Sequence, residues 1–315
     1  IRDENFQGLG TELGLNINGG ARNREAVLEF KAHRLFDTYL TFNLSAFYSL
    51  WDDYFYGDDP TAGPNRWDRQ RLGEYRDERL GGRLTFGMQL EKFGNATIDY
   101  SLQEVHMKNK ENAEGFRDRF RLSTVRIGTV IDSKDSYPFA REGFGANISY
   151  EFSLQNLGSE VGFNVVRFKY ESYTTWGERH TLHPKFTFGF ADKTMPLAEQ
   201  FRLGGRESLF GTREADRRGR QLFLFNLEYR YFLPVRLIFE SYIRLRFDMG
   251  SISDMPEQLK LATVRYGLGT ELALDTPIGP AAIGIGKSFY FGRDLPANPF
   301  LQGPFLLYFA MGYQL

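Results

Sequence analysis

The chain has 315 residues, no cysteine, and 39 basic against 40 acidic side chains, a net charge of -1. This excludes a disulfide framework, a thiolate metal site and a cysteine nucleophile, and signals neither a basic nucleic-acid surface nor an acidic tail. The longest apolar run, Phe305 to Tyr313, is nine residues with a glycine inside, far short of the ~18 of a spanning helix, so a helical membrane protein is excluded as well.

The aromatic content is high, with 30 Phe, 17 Tyr and 3 Trp beside 33 Gly, yet the mean hydropathy is only -0.42. Many aromatics and glycines in a hydrophilic chain suggest an antiparallel transmembrane β-barrel, where every second residue faces lipid and the others face a wet interior. The start at Ile1, with neither Met nor a basic-apolar leader, reads as a processed protein or a fragment of a longer one.

Taken in chain order, period-2 alternation predicts strands over 6–18, 22–33, 38–51, 79–91, 93–107, 118–131, 144–154, 160–174, 180–190, 221–232, 235–250, 262–275, 279–290 and 303–315. The alternation is plain in Leu40, Phe42, Leu44, Ala46, Tyr48 and Leu50, and again in Leu80, Leu84, Phe86, Met88 and Leu90. It is clearest over 235–250. There Val235, Leu237, Phe239, Ile243, Leu245 and Phe247 oppose Arg236, Glu240, Arg244, Arg246 and Asp248. Fourteen strands is an even number, as antiparallel closure of a bacterial barrel requires. Short turns are expected at 35–38, 92–95, 233–234 and 276–279, and longer polar loops at 52–78, 108–117, 191–220, 251–261 and 291–302. Connection 132–143 is long where a turn is expected. One barrel domain uses the whole of 1–315.

Four motifs in the second half resemble the BamA/TamA superfamily of outer-membrane assembly and secretion barrels. Met195-Pro196 through Gly204-Gly205, then Leu209-Phe210-Gly211-Thr212-Arg213, is similar to that family's inward-folded loop. Phe225 to Arg230 resembles the strand after it, Phe247-Asp248-Met249-Gly250 the family's aromatic-Asp-x-Gly strand, and Asp275 to Pro280 a late hairpin. There are departures, because Phe210 stands at the family's arginine position and Thr212 at its aromatic, leaving Arg213 as the nearest cation. The spacing Leu209, Gly211, Arg213, Asp216, Gly219 resembles a branch whose barrel follows a patatin-like phospholipase domain. The family barrel has sixteen strands with eleven before the loop. Nine are read here, so either two lie upstream of Ile1 or this is a fourteen-stranded variant.

The resemblance favours a long loop folded into the lumen, where Arg202, Arg206, Arg213, Arg217, Arg218 and Arg220 meet inward carboxylates. Asp248 is the first candidate partner, followed by Glu228, Glu240 and Glu271, and the implied contact is Arg213 to Asp248. The other reading is a solvated external loop facing lipopolysaccharide phosphates. Strand charges such as Glu25, Glu29, Lys31, Arg83 and Arg265 read as the wet half of the wall, and Trp51, Tyr173, Trp176, Tyr229 and Tyr231 as interface girdles. Asp52-Asp53 and Asp58-Asp59 read as a solvated acidic loop. His180 and His183 fall on opposite strand faces, which argues against a metal pair.

No Gly-x-Ser-x-Gly elbow occurs, and no catalytic residue, metal or cofactor is assigned. Gly303-Pro304 weakens one end of the first–last seam, and Tyr308 to Leu315 resembles the terminal strand read by assembly machinery. The expected role is membrane anchor and translocation or assembly pore in the outer membrane of a Gram-negative bacterium. A barrel serving a patatin-like phospholipase and a passive porin are the alternatives. Its partners would be outer-membrane lipid and lipopolysaccharide, an N-terminal periplasmic or secreted domain absent from this chain, protein clients and a second copy, but no nucleic acid.

Overall fold

A computed structural model describes residues 2–6, 11–34, 38–59, 61–63, 66–90, 94–111, 117–234, 238–260, 263–291 and 300–312. The expected turn residues 35–37 and 92–93, the loop 292–299, Val235 to Leu237 and Tyr313 to Leu315 lie outside these.

The strands are β1 (Arg2–Phe6), β2 (Thr11–Gly19), β3 (Asn23–Ala32), β4 (Leu40–Asp58), β5 (Arg69–Leu90), β6 (Gly94–Asn109), β7 (Arg117–Asp132), β8 (Gly143–Ser153), β9 (Phe163–Trp176) and β10 (His180–Ala191). After the long loop come β13 (Gln221–Phe232), β14 (Glu240–Ser253), β15 (Arg265–Thr276), β16 (Gly279–Tyr290) and β17 (Leu301–Met311). The loop itself contributes the small pair β11 (Phe201–Leu203) and β12 (Arg217–Gly219). The main sheet runs in chain order, β1 to β10 then β13 to β17, with neighbours antiparallel.

All fourteen expected strands are present, and β1 adds a fifteenth to the sheet. Fifteen lies within the fourteen to sixteen that the pattern and the resemblance allow, and among the described residues ten strands precede the loop. Five residues are too few for β1 to announce itself by alternation. Strand β14 is described from Glu240, preceded by a bend at Ile238 and Phe239, and the Leu233 N–H donates to the Ser241 carbonyl at 2.9 Å; the expected strand residues 235–237 lie outside the described residues.

Loop 52–78 is much shorter than expected. Cross-strand pairs of opposite charge, Asp52 against Arg76 and Asp58 against Arg69, carry the β4–β5 ladder well beyond the alternating core. Asp52 accepts from Arg76 at 2.8 Å and from Lys110 at 3.0 Å, and is buried, as is Asp53. Asp52-Asp53 is therefore not a solvated loop, whereas Asp58, at the end of β4, keeps an exposed side chain.

The two faces are inverted relative to a water-soluble protein. Leu307 and Phe309 on β17 are 78% and 75% exposed, whereas Asp248 and Glu271 are 0% and 2% exposed. The polar face is concave, because a single loop touches β4 and β5 on one side and β15 to β17 on the other. The hairpin tip between β4 and β5 also reaches the far edge: Arg66 bridges Gln302, and the Trp67 N–H donates to the Gln302 carbonyl at 3.0 Å. The sheet is curled into a barrel around its polar face.

The unexpectedly long connection 133–142 folds into this lumen at the short-turn rim. Phe139 stacks on Tyr242 with ring centres 4.4 Å apart, and Arg230 donates to the Ala140 carbonyl. Asp135 Oδ1 accepts the N–H groups of Arg141 and Glu142 at 2.8 and 3.1 Å. Burial opposes ionisation there, but these backbone donors prevail and hold the carboxyl below its ordinary 3.8. A depressed folded value means this support exists above pH ~4 and disappears as pH falls through it. Asp135→Asn should strip the Arg141 and Glu142 amides of exchange protection by about tenfold at neutral pH, a loss of charge-assisted hydrogen bonding. Acidifying the wild type should do the same.

Candidate functional site: the inward loop

The loop after Ala191 is anchored before it turns inward. Met195 and Ala198 are buried with Val105, Met107, Phe120, Leu122, Phe163 and Val165, inward positions that are apolar only near this rim. The β11–β12 pair then pairs Phe201 with Gly219 and Leu203 with Arg217. Leu203 and Leu209 pack with Leu222, Leu224 and Ile252.

The tip needs glycine. Gly204, Gly205 and Gly211 have φ of +126°, +95° and +80°, a region that L side chains avoid. Thr212, in place of an aromatic, staples the turn, accepting the Gly205 N–H at 3.2 Å and donating to the Leu209 carbonyl at 2.6 Å.

Phe210 is the centre of the contact and has no exposed surface. Its cradle is made by missing side chains. A Cβ on Gly267 would lie 2.1 Å from the Phe210 carbonyl oxygen, and one on Gly269 or Gly286 would strike the ring at 2.1 or 2.4 Å. The ring centre lies 4.6 Å from that of Tyr308 and 5.0 Å from the Arg246 guanidinium carbon. Asp248 accepts the Phe210 N–H at 2.8 Å and Arg246 Nη2 at 2.9 Å. Tyr308 Oη accepts from the Gly211 N–H and donates to the Thr212 carbonyl, both at 2.8 Å.

The implied Arg213–Asp248 contact is not formed. Gly211 reverses the chain, so Arg213 points to the opposite wall and donates to Asp68 at 2.8 Å and to the Arg69 carbonyl at 2.6 Å. Asp248 instead takes its cation from its own strand. Of the other carboxylates, Glu271 meets the loop, accepting Arg206 Nε at 2.6 Å, with Arg244 at 3.1 Å from its second oxygen. Glu228 pairs with Arg244 at 2.6 Å, and Glu240 lies at the short-turn rim beside Tyr242, so neither takes a loop arginine. The remaining loop cations do find acids. Arg202 and Arg218 pair with Asp53, Arg217 with Asp58, and Arg220 with Asp254. Burial raises Asp216 against Arg69 and Arg217, and burial with Asp53 raises Glu214.

The loop divides the lumen. On one side a cavity of about 530 Å³ is walled by β3 to β9, with Arg79 and Arg83 facing it. On the other, about 640 Å³ lies between Arg206 and the 133–142 turn, faced by Lys169, Lys185 and Glu171. Of the two histidines, His183 faces the lumen at 3.3 Å from Glu171 and His180 bonds the exposed-face Tyr229 hydroxyl at 2.6 Å.

The Arg213–Asp68 pair is a third exposed on both sides. Arg213→Ala should therefore cost under about 1 kcal/mol and leave the tip docked. Unchanged hydrogen-exchange protection at Phe210 and Gly211 would show it.

The model of the Omp85 superfamily domain matches residues 5–300. The outer membrane protein assembly factor BamA of Neorickettsia risticii (strain Illinois) is 20% identical over 314 residues, covering 92% of this chain and 40% of the relative. Among solved structures, BamA from Haemophilus ducreyi lacking POTRA domains 1-3 superimposes with a TM-score of 0.75 at 16% identity, over 97% of this chain and 65% of that one. CdiB from Escherichia coli gives 0.63 at 13% identity, over 96% and 57%. The chain thus spans less than half of that curated relative and about two thirds or less of these structures. With a family model covering nearly the whole barrel and the same fold in both neighbours, the chain belongs to the Omp85 superfamily as an outer-membrane β-barrel.

Proposed function

We propose that this barrel is the membrane-embedded part of a machine that assembles or secretes proteins at the outer membrane. The observation that carries the reading is the docked loop. A passive porin keeps its lumen clear, whereas here Phe210 is locked into a cradle of three wall glycines and six arginines tie the loop to the wall. The similarity to an assembly factor and to CdiB supports the same class. The first–last edge supplies the chemistry. Among the described residues β17 pairs in the main sheet with β16 alone, apart from the contact of Gln302 with Arg66 and Trp67. Backbone groups left open on such an edge cannot be satisfied by lipid and would be a template for an incoming strand. Pro304 adds no donor there, and the ladder to β16 shifts register between Lys287 and Phe289.

Depleting the protein in its host tests the reading. Loss of folded outer-membrane proteins, or of one secreted product, is the expected result. A host that keeps both and loses only uptake of small solutes would point to a porin. In planar bilayers the porin reading also requires large steady openings that deletion of 200–220 leaves unchanged.

A further inference from the structure

At the loop rim a third cavity, of about 250 Å³, lies where β15, β16 and β17 meet the inward loop and the tip of the β4–β5 hairpin. Arg265 opens β15, Tyr290 closes β16, Leu301 opens β17, and Arg217 comes from the loop. Trp67 is buried among them, its ring centre 5.4 Å from the Arg217 guanidinium carbon and 5.1 Å from that of Arg265.

The charges here do not balance. Asp58 is shared by Arg69 at 2.8 Å and Arg217 at 3.1 Å, and buried Asp216 lies 3.7 Å from Arg69 Nε and 3.9 Å from Arg217 Nε. Asp68 is taken by Arg213 at 2.8 Å, and Asp59 accepts from Thr61 at 2.7 Å, so five arginines (Arg66, Arg69, Arg213, Arg217 and Arg265) face four carboxylates. Among the described residues, Arg66 and Arg265 pair with no carboxylate. The Nε groups of Arg217 and Arg265 are buried without a hydrogen-bond acceptor, the nearest carboxylate oxygen to Arg217 Nε being that of Asp216 at 3.9 Å, and among the described residues the Arg265 side chain donates only to the Thr263 carbonyl at 3.4 Å. Burial and the adjacent Arg69 both lower the Arg217 pKa, so this cation is held at a cost. A planar guanidinium fork matches phosphate oxygens, and a dianion between two such forks would offset their repulsion.

We propose that the cavity between Arg66, Arg217 and Arg265 binds a phosphate monoester, with Trp67 as its apolar wall. The headgroup of an outer-leaflet lipid is one source within reach. On the outward face of the same rim Phe291, 53% exposed, packs 5.1 Å from Phe300 and 5.5 Å from Tyr266, the aromatic cluster expected at headgroup depth. Free phosphate from the medium is the other source. Occupancy would tie the loop, the β4–β5 hairpin and the start of β17 together at one point.

The full chain in detergent is titrated calorimetrically with inorganic phosphate, and the chain in phosphatidylcholine nanodiscs with and without phosphatidic acid is examined by native mass spectrometry. Saturable uptake of one equivalent is expected, weakened at least about tenfold by Arg265→Gln and further by adding Arg217→Gln, with Arg265→Lys intermediate because it keeps charge but not the fork. Retention of phosphatidic acid alone assigns the site to lipid headgroups, and binding of inorganic phosphate alone to the free ion. Heat-modifiable electrophoretic mobility verifies that each variant is a folded barrel. Arg119→Gln, at an exposed arginine of the same rim, should bind as the wild type does. The proposal fails if neither probe binds saturably, if Arg265→Gln binds like the wild type, or if Arg119→Gln weakens binding equally.

Discussion

Valine at Gly267 should expel the loop tip while leaving the barrel wall intact. The added Cβ would sit 2.1 Å from the Phe210 carbonyl oxygen, a backbone atom that no rotamer change can move. Valine suits a strand at least as well as glycine, so the β14–β15 and β15–β16 ladders gain nothing adverse. The cost falls on the contact. Phe210 loses its buried site, worth about 1.5–3 kcal/mol for a fully buried side chain, and the bonds to Asp248 and Tyr308 go with it. Folding should look normal by heat-modifiable mobility. Residues 205–213 should lose most of their exchange protection, and single-channel conductance should rise in amplitude and variance. Wild-type protection at Phe210 in Gly267→Val would mean the cradle does not hold the loop.

The legibility of the fold and of the site differed for a physical reason. Barrel strands carry their evidence locally, since each must show one face to lipid and one to water, and all fourteen expected strands stand in the sheet. What local alternation cannot see is extension beyond the bilayer. Residues 52–58 continue the ladder against 69–76 with opposite charges at Asp52–Arg76 and Asp58–Arg69, and only the ladder reveals that Asp52 faces Arg76. In the site, Gly204, Gly205 and Gly211 were readable through the resemblance of the loop motif, and their positive φ gives the physical reason for glycine there. Arg213 was misdirected, because a cation's reach depends on where Gly211 sends the chain. Phe210 stood out in the sequence as a departure from the family's arginine, although it is the residue that docks. The Gly-x-Gly pairs Gly267-x-Gly269 and Gly284-x-Gly286 on consecutive strands were a signal for its cradle, and the inward phase of Tyr308 between outward Leu307 and Phe309 was another.

Removing the carboxylate of Asp248 should undock the tip by a different route and at higher cost. Asp248 is fully buried and carries both the Phe210 N–H and the Arg246 guanidinium, whose side chain is only 5% exposed. Alanine there strands a buried cation, a change that typically costs about 3–5 kcal/mol. Asparagine keeps an acceptor for the Phe210 N–H but no charge, so its cost should be about 1.5–3 kcal/mol, the worth of charged hydrogen bonds. The pair explanation makes a sharper demand on the double variant. Arg246 also donates to the Arg206 carbonyl and covers the Phe210 ring, so Arg246→Ala alone weakens docking. With Asp248 already gone, however, removing Arg246 relieves the stranded charge. Asp248→Ala/Arg246→Ala should therefore cost less than the sum of the two single changes, by about 1–3 kcal/mol. Exchange rates of the Phe210 and Gly211 amides give each docking energy directly. If Asp248→Ala proves as mild as Arg213→Ala, the loop is held by the glycine cradle and Tyr308 alone, and the aspartate is only part of the wet wall.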